Sequence, residues 1–343
     1  MNEMVYTTVA VDAMGGDNAP AAPVHGAMDA VNRDTRVKII LVGKEETIRK
    51  ELSSLTYDES RVEIVNATEV IETGDPPVQS IRRKKDSSIV VAQKLVREGR
   101  ADAFLSAGST GAVLVGGQVC VGRIKGVDRT PIGALIPTTK GISLLVDSGA
   151  NVDARSKHLV QFAQMGSIYM EHVIGVKNPR VAIVNVGLEE EKGNALVKET
   201  YPLLAACPDI NFIGSIEARE IPNGYADVIV CEGFTGNVIL KLYEGTAGAL
   251  MGMIKESMKS NLRSKIGGLL VKPALKRTLK RLDSSEYGGA PLLGLNGLVI
   301  KTHGSAKSKE FCNSVLQCIT FREQDITNKI KASLNSGIQE EQK

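Results

Sequence analysis

The chain has 343 residues, of which 43% are hydrophobic and 24% charged, a composition that supports a sizeable folded core and excludes wholesale disorder. Aromatic residues make up only 4%, which argues against stacking platforms for single-stranded nucleic acid and against carbohydrate surfaces built from aromatic rings. The net charge is +3, yet residues 255–281 hold nine Lys/Arg and one acid. That segment is therefore +8 and the remainder is −5.

The chain carries no usual signature of a metal, nucleotide or disulfide site. Its five cysteines lack any CxxC spacing, its four histidines are isolated, and neither GxGxxG nor GxxxxGK[ST] occurs. No apolar stretch reaches about 18 residues, and the N-terminus shows no targeting signal. We expect a cytoplasmic protein with reduced cysteines that needs neither a metal nor a cofactor.

Short β-branched runs alternate with helical patterns along the whole chain. The strand candidates are, in order, 8–11, 37–42, 62–65, 103–105, 132–136, 143–146, 181–186, 228–230 and 298–301. Amphipathic periodicity predicts helices near 20–32, 44–53, 88–99, 110–122, 156–174, 192–206, 236–262 and 305–333. This alternation predicts a doubly wound, largely parallel α/β sheet. We expect one catalytic domain over 1–335 and a frayed polar tail over 336–343.

Polar, glycine-rich segments follow most of these strands, where α/β sheets bind their ligands. Their ranges are 12–17, 106–112, 147–151, 185–194, 232–237, 287–294 and 303–305. Each one alone reads as a turn, but seven at one sheet edge favour an enzyme. The alternative is a scaffold that binds phosphorylated metabolites and docks on membranes without turnover.

The segment 106–112 opens a helix with small residues, so its backbone N–H groups are suited to an anion. The equal alternative is a tight turn with Ser109 or Thr110 as N-cap. The same stretch resembles a relaxed nucleophile elbow, which leaves a serine hydrolase using Ser109 open. The cations of 82–85 and Lys192 suit phosphate, although both also read as solvated charges.

Three further polar residues have more than one possible role. Asp147 and Glu232 end strands and could hold Mg²⁺, while N-capping and hydrogen bonds to neighbouring loops are the simpler roles. His303, before Gly304 and Ser305, suits an acid, a hydrogen-bond donor or a structural histidine.

Together these motifs carry a family resemblance. Residues 9–20 read Val-Ala-Val-Asp-Ala-Met-Gly-Gly-Asp-Asn-Ala-Pro, and Ser-Ala-Gly-x-Thr-Gly-Ala, Asp-x-Gly-Ala-Asn, Asn-x-Gly-x-Glu-x-x-Lys-Gly-Asn and Tyr-Gly-Gly-Ala-Pro-Leu-Leu-Gly follow in order. The chain thereby resembles the bacterial acyl-carrier-protein:phosphate acyltransferases of phospholipid synthesis (PlsX family) over residues 5–333. It departs from them at Ser109, usually Asn, and at Glu232, usually Asp. Since Asn could not replace a nucleophile, the first departure argues against Ser109 in that role.

The resemblance implies a three-layer αβα sandwich related to isocitrate dehydrogenase-like and phosphotransacetylase-like folds, and a homodimer. It also implies reversible transfer of a long-chain fatty acyl group from acyl carrier protein to inorganic phosphate. The acyl phosphate would then pass to a membrane glycerol-3-phosphate acyltransferase. Phosphate needs no strong base to attack a thioester, so we expect direct attack in a ternary complex.

On this reading the predicted catalytic residues are Asn237, His303 and Lys192. Predicted phosphate- and substrate-binding residues lie in or beside the strand-end loops: Asp12, Gly15, Gly16, Arg82, Ser106, Gly108, Ser109, Thr110, Gly111, Asn151, Glu189, Asn194 and Glu232. Phosphate is placed between the 106–111 loop and the cations Arg82 and Lys192. Asn237 and His303 are placed at the thioester.

Residues 250–282 predict a protruding basic helical hairpin. Apolar side chains recur every four positions beside cations, and a second stripe places Leu275, Leu279 and Leu282 beside Lys276, Arg277, Lys280 and Arg281. The tip is predicted at 269–271. The residues predicted to dock on anionic lipid, or on acidic acyl carrier protein, are Leu269, Leu270, Val271, Lys259, Arg263, Lys276 and Arg277. We therefore expect peripheral association with the inner face of the cell membrane. The alternative is that the stripes pack together or form the dimer interface.

Overall fold

A computed structural model describes residues 5–281 and 284–340, with side chains described for 5–277 and 286–334. Eleven strands lie within these residues. They are β1 (Thr7–Asp12), β2 (Val37–Gly43), β3 (Val62–Asn66), β4 (Ala103–Ser106), β5 (Gly133–Thr138), β6 (Gly141–Val146), β7 (Arg180–Asn185), β8 (Asn211–Glu217), β9 (Val228–Val230), β10 (Ala290–Leu292) and β11 (Leu298–Lys301).

The same residues form eleven α-helices. They are α1 (Ala21–Arg33), α2 (Glu45–Leu52), α3 (Pro77–Arg83), α4 (Ser88–Arg97), α5 (Thr110–Gly116), α6 (Ser156–Tyr169), α7 (Ala195–Ala205), α8 (Gly233–Lys259), α9 (Leu262–Arg281), α10 (Ser308–Glu323) and α11 (Ile326–Glu340). One wider π-helical turn continues α5 and another continues α6. The tail predicted to fray from residue 336 begins inside α11, and 341–343 lie outside the described residues.

The strands form two sheets instead of a single one. The first has the order β10-β11-β4-β1-β2-β3, and the second has the order β5-β6-β9-β7-β8. All pairings are parallel except β10 with β11 and β5 with β6. A bridge between Ile132 and Leu292 brings these two antiparallel edges together. The sequence therefore predicted the parallel character correctly, but not the division into two sheets.

Alternating side chains on the strands build the layers around the sheets. Val9 and Val11 on β1 face a core shared with Phe311 of α10 and Leu144 of β6, whereas Ala10 faces a second core on the opposite side. A third core covers the outer face of the five-stranded sheet, under α8. Helices on both faces of mostly parallel sheets confirm the predicted α/β three-layer fold.

The basic segment 255–281 covers the C-terminal end of α8 and all of α9, and these two helices, called the two basic helices below, meet at Ser260 and Asn261. The side chain of Asn261 accepts the N–H of Ser264 at 2.9 Å, an N-cap that starts α9 there. The tip predicted at 269–271 is therefore wrong, because those residues lie within α9. Just before those residues α9 packs closely on α8, since a Cβ on Gly268 would lie 3.2 Å from Met258.

The side chains of Leu279, Lys280 and Arg281, together with all of Leu282, lie outside the described residues. No helix within the described part of the chain is long and apolar enough to cross a membrane.

Candidate active site

Three loops at the carboxyl edge of the six-stranded sheet meet as one unit, which we call the first loop cluster (12–18, 106–111 and 302–306). A Cβ on Gly15 would lie 2.7 Å from the backbone nitrogen of Gly108. Gly16 has a φ of +100°, and a Cβ there would lie 3.0 Å from the carbonyl oxygen of Gly304. Asp17 N–H donates to that same carbonyl at 2.8 Å. Only glycine lets these backbones approach so closely.

The carboxylate of Asp12 is fully buried beneath this cluster. It accepts the hydroxyl of Ser106 at 2.7 Å and the N–H of Met14 at 3.1 Å, while Ser106 Oγ accepts the N–H of Gly108 at 2.9 Å. Burial raises the pKa of Asp12, and these hydrogen bonds oppose the rise. Asp12, predicted to bind substrate, therefore ties the loop after β1 to the loop after β4.

The five-stranded sheet carries the second loop cluster (147–151, 185–194 and 231–237). Asp147 is fully buried, and its carboxylate accepts hydrogen bonds from five N–H groups. Their donors are Ile132 N (3.0 Å), Gly149 N (3.1 Å), Ala150 N (3.0 Å), Asn151 N (2.6 Å) and Asn151 Nδ2 (2.8 Å). Burial raises the pKa of this carboxyl against the pull of its donors. Both sheets thus use a buried aspartate after a strand to shape their loops.

Asn151, another predicted substrate ligand, extends this scaffold. Its side-chain amide donates to the carbonyl of Thr130 at 3.0 Å, and its own carbonyl accepts the N–H of Gly233 at 2.8 Å. Asn151 is therefore buried and holds the first turn of α8 on the loop after β6.

Glu232 is the N-cap of α8. Its carboxylate accepts the N–H groups of Phe234 at 2.5 Å and Thr235 at 3.0 Å, so the structure uses it in the capping role that the sequence left open. Asn237, one turn later, is exposed and donates to the carbonyl of Ser148 at 3.3 Å. Capping therefore fixes the start of the helix that carries Asn237.

The loop after β7 carries three predicted site residues. Among the described side chains, none of the three contacts the first loop cluster. Lys192 and Glu189 are exposed and form an ion pair of 2.8 Å, which raises the pKa of Lys192 and lowers that of Glu189. Asn194 caps α7 by accepting the N–H of Val197 at 2.9 Å. The cation predicted to face phosphate is thus neutralised locally.

Arg82 lies exposed in the last turn of α3, and Ser109 is the N-cap of α5. The Ser109 hydroxyl accepts the N–H of Ala112 at 3.4 Å, and Thr110 beside it is exposed. Pro77 of α3 fits against Gly111, whose Cβ would lie 2.5 Å from the proline ring. No histidine contacts Ser109 among the described hydrogen bonds, so a Ser-His relay is not assembled here.

His303 is exposed near the start of the loop after β11. Its Nδ1 accepts the N–H of Ser305 at 3.3 Å and lies 2.8 Å from the Ser305 hydroxyl. Because Nδ1 accepts, the neutral ring carries its proton on Nε2, which is therefore a donor.

Lys301 was not singled out by the sequence analysis. It ends β11 with 9% of its surface exposed, and its Nζ donates to the carbonyl oxygens of Ala107, at 3.2 Å, and Thr302. Burial lowers the pKa of this ammonium to about 8. The sequence contains a signal for this residue, because a single lysine ends the apolar run Leu-Val-Ile-Lys. The sequence analysis used that lysine only to mark the end of the strand.

Comparisons with known proteins bear on the whole of this arrangement. A family model described as "Fatty acid synthesis protein" matches residues 7–329. A protein named phosphate acyltransferase from Alkaliphilus oremlandii is 52% identical over 330 residues, 96% of this chain and 97% of that protein. One of the same name from Clostridioides difficile is 50% identical over 323 residues, 94% of each chain.

Solved structures are similar in fold at much lower identity. The EutD phosphotransacetylase from Staphylococcus aureus is 17% identical with a TM-score of 0.58, covering 94% of this chain and 96% of that one. A phosphotransacetylase from Streptococcus pyogenes is 15% identical with a TM-score of 0.61, covering 93% and 96%. The phosphotransacetylase-like architecture expected from the sequence is thereby confirmed.

Proposed function

This chain belongs to the phosphate acyltransferase family, and we propose that it transfers a long-chain fatty acyl group reversibly from acyl carrier protein to inorganic phosphate. The observation that carries the proposal is the 52% identity to a phosphate acyltransferase over nearly the full length of both chains. The product is an acyl phosphate, an activated precursor for phospholipid synthesis.

The chemistry agrees with a site in which the described side chains assemble no Ser-His relay. A large fraction of inorganic phosphate is dianionic near neutral pH, and this dianion can attack a thioester without a strong base. The leaving thiol, with a pKa near about 8.5, departs as the thiolate. Aligning two reactants contributes ~7–11 kcal/mol and one oxyanion donor ~3–4 kcal/mol. Direct attack in a ternary complex therefore needs anion binding, alignment and oxyanion donors.

Two exposed donors are suited to the tetrahedral oxyanion and to the phosphate or departing thiolate. Asn237 presents a side-chain amide from the capped start of α8, and His303 presents Nε2–H from the opposite loop cluster. We assign one to the oxyanion and the other to phosphate or thiolate. Phosphate itself is placed at the 106–111 loop, with Arg82 and Lys192 as candidate cations that must reorient to reach it.

The two basic helices are proposed to dock the enzyme on an anionic membrane, where a membrane glycerol-3-phosphate acyltransferase would consume the acyl phosphate. Leu269, Leu270 and Val271 are exposed by 69%, 76% and 49%. The cations around them are also exposed: Lys259, Arg263, Lys276 and Arg277. Each cation near an anionic leaflet contributes ~1 kcal/mol, and the apolar side chains add burial.

Flotation with vesicles of anionic lipid tests this docking. The protein should float at low salt and sink at high salt, and the triple change Leu269/Leu270/Val271→Asp should abolish flotation. Leu203→Asp, at a residue 45% exposed on α7, is the matched control and should float. Flotation that survives both treatments, or never occurs, would instead favour contact of these helices with acyl carrier protein or with the second subunit of the homodimer that the resemblance implies.

Incubation with acyl carrier protein thioester and labelled phosphate tests the proposed reaction. Labelled acyl phosphate should form in step with release of the carrier thiol, and adding acyl phosphate to the free carrier should reverse it. Free fatty acid as the sole product would instead favour a serine hydrolase using Ser109. No turnover at all would favour a phosphometabolite-binding scaffold.

A further inference from the structure

Lys301 has an environment unlike that of any other cation among the described side chains: it is the only buried lysine or arginine there. It lies opposite Ser106 in the parallel pairing of β11 with β4, so it ends directly beneath the 106–111 loop. That position follows from the sheet and does not depend on a flexible surface side chain. The first loop cluster therefore contains a fixed interior charge.

The charge of this ammonium is only partly compensated. Two of its three N–H donors reach the carbonyl oxygens of Ala107 and Thr302, and no carboxylate forms an ion pair with it among the described side chains. Asp12 and Asp17 favour its charged form from farther away, while Lys241 on α8 opposes it. A buried cation without a close counter-ion is costly, so an anion bound beside this ammonium would stabilise its charged form.

We propose that the Lys301 ammonium binds the attacking inorganic phosphate at the 106–111 loop, with its third N–H directed to a phosphate oxygen. This assignment rests on the proposed function, because it names the substrate that the interior charge serves. Phosphate fits better than the uncharged thioester, since a dianion supplies the missing counter-charge. The Lys301 hydrogen bond to Ala107 also keeps the loop backbone in place around the anion.

The competing role for Lys301 is purely structural, as a tie between two carbonyl groups. Lys301→Met keeps the length of the side chain and removes its charge and donors, whereas Lys301→Arg keeps the charge. Phosphate binding is measured by calorimetry with inorganic phosphate alone, before any acyl substrate is added. Lys50→Met, at an exposed lysine on α2, is the matched control.

We expect Lys301→Met to weaken phosphate binding about tenfold or more and to raise the KM for phosphate, with little change in the KM for acyl carrier protein thioester. Lys301→Arg should restore part of the loss, and Lys50→Met should bind like the unaltered protein. Equal phosphate affinity in Lys301→Met and the unaltered protein overturns the proposal. An equal rise in the KM for both substrates also overturns the proposal and favours a purely structural role for Lys301.

A second measurement covers the case in which Lys301→Met does not fold. Sulfate keeps its charge between about pH 7 and about pH 9. If the protein binds sulfate more weakly as the pH rises through this range, a cation of the protein has lost its proton. Affinity should fall in the unaltered protein as the Lys301 ammonium, with a pKa of about 8, loses its proton. It should stay level in Lys301→Arg, which separates Lys301 from the nearby Asp12, Asp17 and Lys241. A level profile in the unaltered protein overturns the proposal.

These readouts also separate two kinds of failure. If phosphate binds through Lys301 but no acyl phosphate forms, the proposed reaction fails and the anion site stands. If acyl phosphate forms but phosphate binding ignores Lys301, the reaction stands and the assignment of Lys301 fails.

Discussion

Gly236→Ala should damage both the stability and the turnover of the enzyme, because α8 touches the loop after β6 at this glycine. An added Cβ would overlap the carbonyl oxygen of Asp147, and it would lie 2.9 Å from the carbon of that carbonyl and 3.0 Å from Cys231 Sγ. Carbon atoms prefer separations of about 3.5–4.0 Å, so the first turn of α8 must move by roughly 1 Å. Such overpacking costs ~1–3 kcal/mol of folding free energy.

The same displacement moves Asn237, the next residue, away from its place beside Ser148. A shift of about 1 Å in a positioned group can lower turnover about 10²-fold. We expect Gly236→Ala to show that loss in the acyl phosphate assay, together with a lower midpoint in urea unfolding. Gly245→Ala, farther along α8, is the matched control, since nothing lies within 4 Å of its Cβ.

The control should keep full activity and gain about 0.5–1 kcal/mol, because alanine stabilises a helix relative to glycine. The reasoning is refuted if Gly236→Ala matches Gly245→Ala in both stability and turnover. In that case the contact between α8 and the loop after β6 would not position the site.

Three further predictions follow from the two loop clusters. Asn237→Ala and His303→Ala should each lower turnover about 10²-fold without changing the unfolding midpoint, and full activity in either variant removes that residue from the site. Asp147→Asn should lower the free energy of unfolding by ~2–4 kcal/mol. The new amide nitrogen would replace Oδ2 and would face the two N–H donors of Asn151 with no acceptor for them. An unchanged midpoint in urea unfolding would contradict this. Ser109→Ala should cost about 1 kcal/mol through the lost N-cap and only a few-fold in rate. Abolished activity would point instead to a serine nucleophile.

The sequence predicted the strands well because their signal is local. Apolar runs such as 37–42 and 228–230 became β2 and β9 within one residue of their expected bounds. β8 was missed because Gly214, at a φ of +99°, interrupts its pattern, and its pairing with β7 shifts register. β10 was missed because it has three residues, with Pro291 at their centre.

The sequence indicated which loops meet, but it could not decide what the residues in those loops contact. Glycine-rich motifs after strands correctly indicated loops that meet, as Gly15 does with Gly108. For Asp12, by contrast, the sequence pattern is the same whether the carboxylate faces a ligand or a neighbouring loop. Burial decides between the two, and burial depends on the whole fold. Lys301 was missed for the same reason, because only the sheet register places it under the 106–111 loop.

The two buried aspartates illustrate how stability and function share residues here. Asp12 and Asp147 each follow a strand of a different sheet and are closed off from solvent. Each turns backbone N–H groups inward, which leaves the adjoining loops with fixed shapes. Under the proposed function, small residues in those loops would give substrate close access to the backbone. Preorganisation of this kind is what a direct attack by phosphate requires.

The most direct test of direct attack is to incubate the enzyme with acyl carrier protein thioester in the absence of phosphate. Carrier thiol release and the mass of the protein are followed before and after phosphate is added. We expect no thiol release and no change in mass until phosphate is present, when thiol and acyl phosphate appear together. A stoichiometric burst of thiol with an acyl group added to the protein would contradict direct attack and reveal a covalent intermediate.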